Sequence, residues 1–488
     1  MASKTTLNAR NLEALGAKRL AELLIELSTG DAAAKRRLRL ELAGTTGTGE
    51  VVREIRKRLT AIAKSRSHVD WQKRKALVKD LDTQRRAIVE QVAKGDPAEA
   101  LELMWRFLGL ADSVFERCDD SSGTVSAVFA TAVADLGEIA TAAQPEPARL
   151  ADEVFQALTD NGYGQYDDLI EVLAPALGLE GLEHLKSRML ALAGQSVGRS
   201  SSGKQQVVGY GLSGPVYADE MAERSRQSTV RLALMDIADA QGDVDAFIRQ
   251  YDERARKMPK IAAEIARRLL AAGRTEEAWQ TIEAATPKGS GRDAPDLDWA
   301  DAHIEVLEAL GRAEEAQAAR WSTFEQALSA EHLRAFLKRL PDFEDLEAEE
   351  RALAHVERHR SLLHALAFLV SWSALDRAAA LVLRRAKELD GDHYEVLTPA
   401  ADALSARHPL AATLVLRAMI DFALSHSRAS RYRHAARHLL ECESLATSVP
   451  DWGDVETQGA YLARLKKQHG RKSAFWSSPE LTKPGLVR

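Results

Sequence analysis

GRTEEA at residues 273–278 and GRAEEA at 311–316 carry one pattern twice: a glycine, acidic residues, and an alanine five positions after the glycine. In each case the glycine follows an apolar, helix-forming stretch. The physical reading is one helix ended by Gly in a left-handed position, a tight turn, and a second helix. Acidic residues in the second helix's first turn favour its dipole, and the small Ala lets it approach its partner closely. GDPAEA at Gly95 repeats the frame and GDVDAF at Gly242 is a weaker copy. WSALDRAA near Ser373, ARHPLAA near Arg407 and SRYRHAA near Ser430 fit it without glycine. The step is 31 residues from Gly242 to Gly273, 38 on to Gly311, and 34 from Ser373 to Arg407, around the 34 of tetratricopeptide repeats. The full tetratricopeptide consensus is missing. The expected fold is therefore all-α: an irregular α-solenoid of helix-turn-helix, tetratricopeptide-like pairs, preceded by a basic N-terminal helical hairpin.

Composition agrees. The 488 residues are 45% hydrophobic, 28% charged and only 6% aromatic, with Ala and Leu dominant, which suits helices rather than strands. The two cysteines, Cys118 and Cys442, lie 324 positions apart, and no secretory-type apolar run opens the chain, so a reducing cytoplasm is expected. The longest uncharged run, Ser361 to Leu375, is 15 residues and contains His364; it reads as a buried helix, and no membrane span is expected.

The net charge of −6 hides an asymmetry. Between Lys35 and Arg86, 16 Lys and Arg stand against 6 Asp and Glu, a net +10, which leaves −16 for the remainder. Such a basic arm suits a nucleic-acid, lipid or acidic-protein partner, or folds back on the chain's own acidic surface. Within it, Ile55, Leu59 and Ile62 keep helical spacing, and Trp71, Leu77, Leu81 and Ile88 continue an apolar stripe, the pattern of an antiparallel hairpin. A first helix is expected over Leu12 to Leu27, with Asn8 or Asn11 as cap, and a break at GTTGTGE, 44–50. The expected organisation is an N-terminal helical region with the basic hairpin (1–93), a helical domain (94–193), a flexible Gly/Ser loop (194–216), tetratricopeptide-like repeats (217–448) and a C-terminal capping segment (449–488). A second linker is read at 286–298.

Templates for chemistry fare poorly. Gly198, Gly203 and Lys204 match GxxxxGK, but Gln205 stands where a phosphate loop needs Ser or Thr, and no strand precedes it. HVERH, with His355 and His359, lacks the Glu that a zinc protease places directly after its first histidine. Cys118 sits in ERCDDSSG, where Asp119 and Asp120 disfavour a thiolate. Asp119/Asp120 and Asp167/Asp168 read as caps and turns before apolar helices. RYRHAARHLLEC aligns His434, His438 and Cys442 at steps of four on one helical face, the geometry of three metal ligands. Leu439, Leu440 and Leu445 supply an apolar side there, and Arg431, Arg433 and Arg437 repel a cation, so packing is the preferred reading. No cofactor is expected.

RYRHAARHLLE at 431–441, DWGD at 451–454, YLARLKKQ at 461–468 and HGRKSAFW at 469–476 resemble the C-terminus of an uncharacterised bacterial, α-proteobacterial family, a domain of unknown function. DNGYGQYDDLIEVLAPALG at 160–178 and RLTAIAKSRSHVDW at 58–71 resemble its middle and N-terminal signatures. A weaker similarity is to helical regions attached to bacterial SWIM-type zinc fingers, but two distant cysteines cannot form that finger, and its nucleic-acid role is not carried over. The resemblance implies a helical body and no established activity.

Three functions follow as expectations. The first is a non-enzymatic cytoplasmic scaffold binding a protein or peptide partner, with Tyr163 and Tyr166 in a turn and Arg471, Lys472 and Trp476 in the tail as contact candidates. The second is nucleic-acid binding through residues 35–86, with Arg53, Arg56, Lys57, Arg58, Lys73, Arg74 and Lys75 on phosphates and Trp71 stacked on a base. The third is a metal-dependent enzyme using His434, His438 and Cys442. Oligomeric state is not encoded in any feature of the sequence.

Overall fold

The computed structural model describes residues 6–195, 207–211, 214–287 and 296–481, which fall into two compact units, Met1–Asp252 and Glu253–Arg488. The repeated frame takes the geometry its glycines require. Gly273 has φ 73° and Gly311 72°, and the next N–H reaches back across the turn, Arg274 to the Leu269 carbonyl at 2.8 Å and Arg312 to that of Leu307 at 2.9 Å. These are the closing bonds of the Schellman motif, which satisfy carbonyls a helix end otherwise leaves open. Gly242, with φ 67°, does the same through Asp243 and Ala238. Serine substitutes twice: Ser373 at φ 64° with Ala374 bonded to Leu369, and Ser427 at φ 52° with Arg428 bonded to Ala423. Ala278, Ala316 and Ala378, each five positions after the turn residue, are fully buried. Gly95 departs from the expectation. It follows a π-helical turn, Ile88–Val92, and is not left-handed; a Cβ there would stand 3.3 Å from Thr48 Oγ1, so close approach rather than φ favours glycine.

The first unit contains α1 (Ala9–Glu13), α2 (Ala17–Ser28), α3 (Ala32–Thr46), α4 (Thr48–Ala63), α5 (Trp71–Ala87), α6 (Pro97–Leu108), α7 (Ala111–Phe115), α8 (Thr124–Ala143), α9 (Pro147–Thr159) and α10 (Leu169–Ala193). A two-stranded antiparallel hairpin follows, β1 (Val207–Gly211) with β2 (Gly214–Tyr217), then α11 (Ala218–Gln241) and α12 (Val244–Arg249). Helix α4 packs on α3, α5 and α6, α8 on α6 and α10, and α10 on α9 and α11. Ile55, Leu59, Leu81, Ile88, Leu103, Met104 and Phe107 are wholly buried in one continuous core. By length and composition α8 is apolar enough to cross a membrane. Here its Val125, Phe129, Ala132, Leu136 and Ala140 line that core, and its Asp135 is paired with Arg85 at 2.5 Å.

Three local expectations are corrected. The helix expected over 12–27 is broken at Gly16, whose φ of 78° cannot continue α1 into α2. GTTGTGE is almost entirely helical: Gly47 alone, at φ 138°, separates α3 from α4, because buried Ala43 and Val51 anchor the chain on either side. The loop at 194–216 forms the hairpin in its second part, where Val207, Val208, Val216 and Tyr217 supply strand-forming side chains. Gly198, Gly203 and Lys204 lie outside the described residues, as do residues 288–295 of the second linker.

The second unit runs α13 (Glu253–Arg256), α14 (Pro259–Ala271), α15 (Thr275–Ala284), α16 (Leu297–Ala309), α17 (Ala313–Ala327), α18 (Ala330–Leu337), α19 (Glu344–Glu357), α20 (Leu362–Ser371), α21 (Leu375–Arg385), α22 (Tyr394–Ser405), α23 (Pro409–Ser425), α24 (Tyr432–Ala446), α25 (Gln458–His469) and α26 (Ser473–Trp476). Helices two apart in sequence pack together, α14 on α16, α20 on α22 and α21 on α23, which is how stacked helical pairs bury apolar faces that no single pair can cover. The uncharged run at 361–375 supplies α20, with Leu362, Ala365, Leu366, Phe368 and Leu369 buried. The fold is all-α and helical-repeat in kind, as the glycine-to-alanine spacing predicts.

Candidate functional site

A cavity of about 910 Å³ lies in the first unit between α6 and α9. Both walls are set by local capping. Asp96 accepts the Glu99 N–H at 3.0 Å and Pro97 occupies the first turn, so α6 starts sharply and its 3–4 spacing turns Leu101, Glu102, Trp105 and Leu108 to one side. Opposite, Glu146 accepts the N–H groups of Ala148 at 3.1 Å and Arg149 at 2.6 Å, starting α9, whose Arg149, Glu153, Gln156 and Ala157 face the same space. Asp112, Asp160 and Tyr166 complete the lining.

Seven carboxylates (Asp96, Glu99, Glu102, Asp112, Glu146, Glu153, Asp160) line the cavity against one guanidinium, Arg149. Part of that charge is answered: Arg56 of α4 pairs with Glu99 at 2.7 Å and Glu102 at 3.0 Å, and Arg149 with Glu153 at 3.3 Å. Asp112 and Asp160 have no ion-pair partner among the described residues. Burial, then the charges of Asp112 and Asp160, push the Tyr166 hydroxyl up to about 12. The floor is apolar and aromatic: Leu101 and Leu108 are buried, Trp105 half-buried, and the Trp105 and Tyr166 rings stand 6.5 Å apart. The indole Nε1–H of Trp105 has no acceptor among the described residues. An acidic rim over such a floor is complementary to cationic side chains with apolar stems.

Of the residues expected to meet a partner, Tyr166 is brought to this cavity, where it forms floor rather than rim. Tyr163 instead stacks on Phe115 at 5.1 Å beside a small separate cavity. In the tail, Phe475 is buried against Tyr432, Lys472 Nζ donates to Ser427 Oγ at 2.7 Å, and Trp476 Nε1 donates to the His469 carbonyl at 3.0 Å; Arg471 stays exposed.

The basic arm is substantially engaged with acids of its own unit. Arg56 is held as above, Arg58 Nε donates to Asp80 at 2.9 Å, and Arg74 Nη1 donates to the Asp119 carbonyl at 2.8 Å. Arg53, Lys57 and Lys73 are mostly exposed, each beside an acid on its own helix or cap, Glu50, Glu54 and Asp70. Lys75 is exposed, and Trp71 is 75% exposed.

On α24, His434, His438 and Cys442 run from solvent into the core. His434 Nδ1 accepts from Arg437 at 2.8 Å, His438 is largely buried, and Cys442 is fully buried with its thiol towards the Thr413 carbonyl. Burial, with His434 and Arg437 adding, pulls His438 down to about 4, and burial pushes the Cys442 thiol up to about 12. Among the described residues no group of three or more His, Cys, Asp or Glu is gathered to hold a metal ion. Cys118 is also buried, which raises its thiol above the ordinary value.

These features define an all-α helical-repeat protein with an acidic groove in its first unit. Residues 2–478 match the family of unknown function DUF6880, and the chain belongs to that family. No curated protein matches it.

Proposed function

We propose that this chain is a non-enzymatic binding scaffold that receives a basic peptide segment of a partner protein in the groove between α6 and α9. The observation that carries the reading is seven carboxylates against one guanidinium around about 910 Å³, above a floor of Leu101, Trp105 and Leu108. The volume is in the range that accepts several side chains at once. The carboxylates are spread along α6, α7 and α9 and the caps of α6 and α9 rather than gathered, which suits a row of Lys or Arg side chains. A cytoplasmic setting is supported by the two cysteines, both free and buried.

The test is a titration of the full chain against a fluorescent amphipathic peptide of Lys and Leu, an acidic peptide of the same length, and a single-stranded oligonucleotide. The expected result is saturable binding of the basic peptide alone. Neutralising the unpaired acids in Asp112→Asn/Asp160→Asn is expected to weaken it by about tenfold, each solvent-accessible charge contributing up to roughly 1 kcal/mol. Unchanged affinity in that double variant, equal binding of the acidic peptide, or preference for the oligonucleotide contradicts the proposal.

A further inference from the structure

A second cavity, of about 750 Å³, opens in the second unit beside α23 and the start of α25. Its wall includes Arg417, which is only 5% exposed. A guanidinium offers five N–H donors. Nη1 donates to the Glu456 carbonyl at 2.6 Å and Nη2 to Gln458 Oε1 at 2.9 Å, and Nε has no acceptor. Three of the five N–H groups are therefore unused within the described residues. Among the described residues no carboxylate lies within ion-pair distance of Arg417 either. Two carboxylates of the same wall, Asp421 and Glu456, are both held by Arg464 at 3.1 Å, and the Tyr461 hydroxyl also donates to Asp421 at 3.1 Å.

The Tyr461 and Trp452 rings stack on the Arg417 guanidinium, with its carbon 4.3 and 5.0 Å from their centroids. They favour the cation but accept few of its hydrogen bonds. A buried charge left with open donors is costly, and an anion that enters removes that cost. Across the cavity stand Lys387, exposed and without an ion pair among the described residues, and the Ser425 hydroxyl and His426 ring. The remaining acid of the wall, Asp390, is 3.8 Å from His393.

We propose that this cavity binds a small molecule through its carboxylate or phosphate group, the oxyanion seated on Arg417 and steered by Lys387. The site is in the other unit from the acidic groove and takes the opposite charge, so the two proposals stand or fall separately. The experiment is thermal unfolding and calorimetric titration of the full chain with inorganic phosphate and, separately, acetate, each against sodium chloride at matched ionic strength. A saturable rise in unfolding temperature with one of them, beyond chloride, is expected, and which anion acts identifies the group recognised. Arg417→Gln is expected to abolish the response, and Lys387→Gln, at an exposed position, to weaken binding roughly threefold to tenfold. No response to either anion overturns the proposal, as does a full response in a folded Arg417→Gln protein. Should Arg417→Gln fail to fold, unchanged affinity in Lys387→Gln overturns it.

Discussion

Ser373 holds a left-handed backbone, φ 64°, where Gly273 and Gly311 hold 73° and 72°. A side chain there costs roughly 1 kcal/mol that glycine avoids. Ser373→Gly is expected to raise stability by about 0.5–1 kcal/mol, and Gly311→Ala to lower it by a similar amount, read from urea midpoints at constant slope. The glycine frames were legible because glycine advertises this conformation. Ser373 does not, and only the buried Ala378 five positions on betrayed the turn. His438 titrates with a definite sign. Its folded value of about 4 lies below the ordinary 6.5, so the unfolded chain takes up a proton first as pH falls. Stability is unaffected above about pH 7, drops by about 2 kcal/mol by pH 5, and loses little more on this account below pH 4, where both states are protonated. Denaturant midpoints at pH 7 and 5 measure this, and His438→Gln is expected to remove most of the difference. The four-residue step of His434, His438 and Cys442 was readable from the sequence. That one end of the step faces solvent and the other the core was not, since it depends on α23, which brings the Thr413 carbonyl towards the Cys442 thiol.

Helix α6 illustrates what an element can conceal. DPAEALELMW read as one more repeat frame, yet Asp96, Glu99 and Glu102 at steps of three already place three acids along one side. The opposite wall, α9, begins about fifty residues later, and nothing local connects them. The same holds for the basic arm. Its helices were evident from Ile55, Leu59 and Ile62, but the pairing of Arg56 with Glu99 and Glu102, over 40 positions away, is a tertiary fact. This pairing has a consequence for binding: Arg56→Ala uncovers both carboxylates and is expected to tighten the basic peptide by roughly threefold in fluorescence anisotropy. The tail is held by several contacts, of which the Phe475 ring is the most deeply buried. Phe475 is fully buried between Tyr432 and Trp476, and Phe475→Ala is expected to cost about 3–4 kcal/mol, seen as a lowered unfolding midpoint.

Across the whole molecule, the all-α repeat character follows from spacing that the sequence states openly, whereas the proposed binding depends on where charge is left uncompensated after folding. Part of the +10 arm's charge is answered by acids outside it, Arg56 by Glu99 and Glu102, Arg85 by Asp135 and Arg86 by Glu90, while Asp112 and Asp160, isolated in the sequence, remain without an ion pair among the described residues beside Tyr166. Binding driven by that surplus is salt-sensitive: raising sodium chloride from 50 to 300 mM is expected to weaken the basic peptide by about tenfold, because the Debye length shrinks from roughly 14 Å to roughly 6 Å. The most direct measurement is hydrogen–deuterium exchange of the full chain with and without saturating Lys/Leu peptide. The account predicts slowed exchange concentrated in residues 96–112 and 146–166. Protection elsewhere in the chain, with those two segments unchanged, would contradict it.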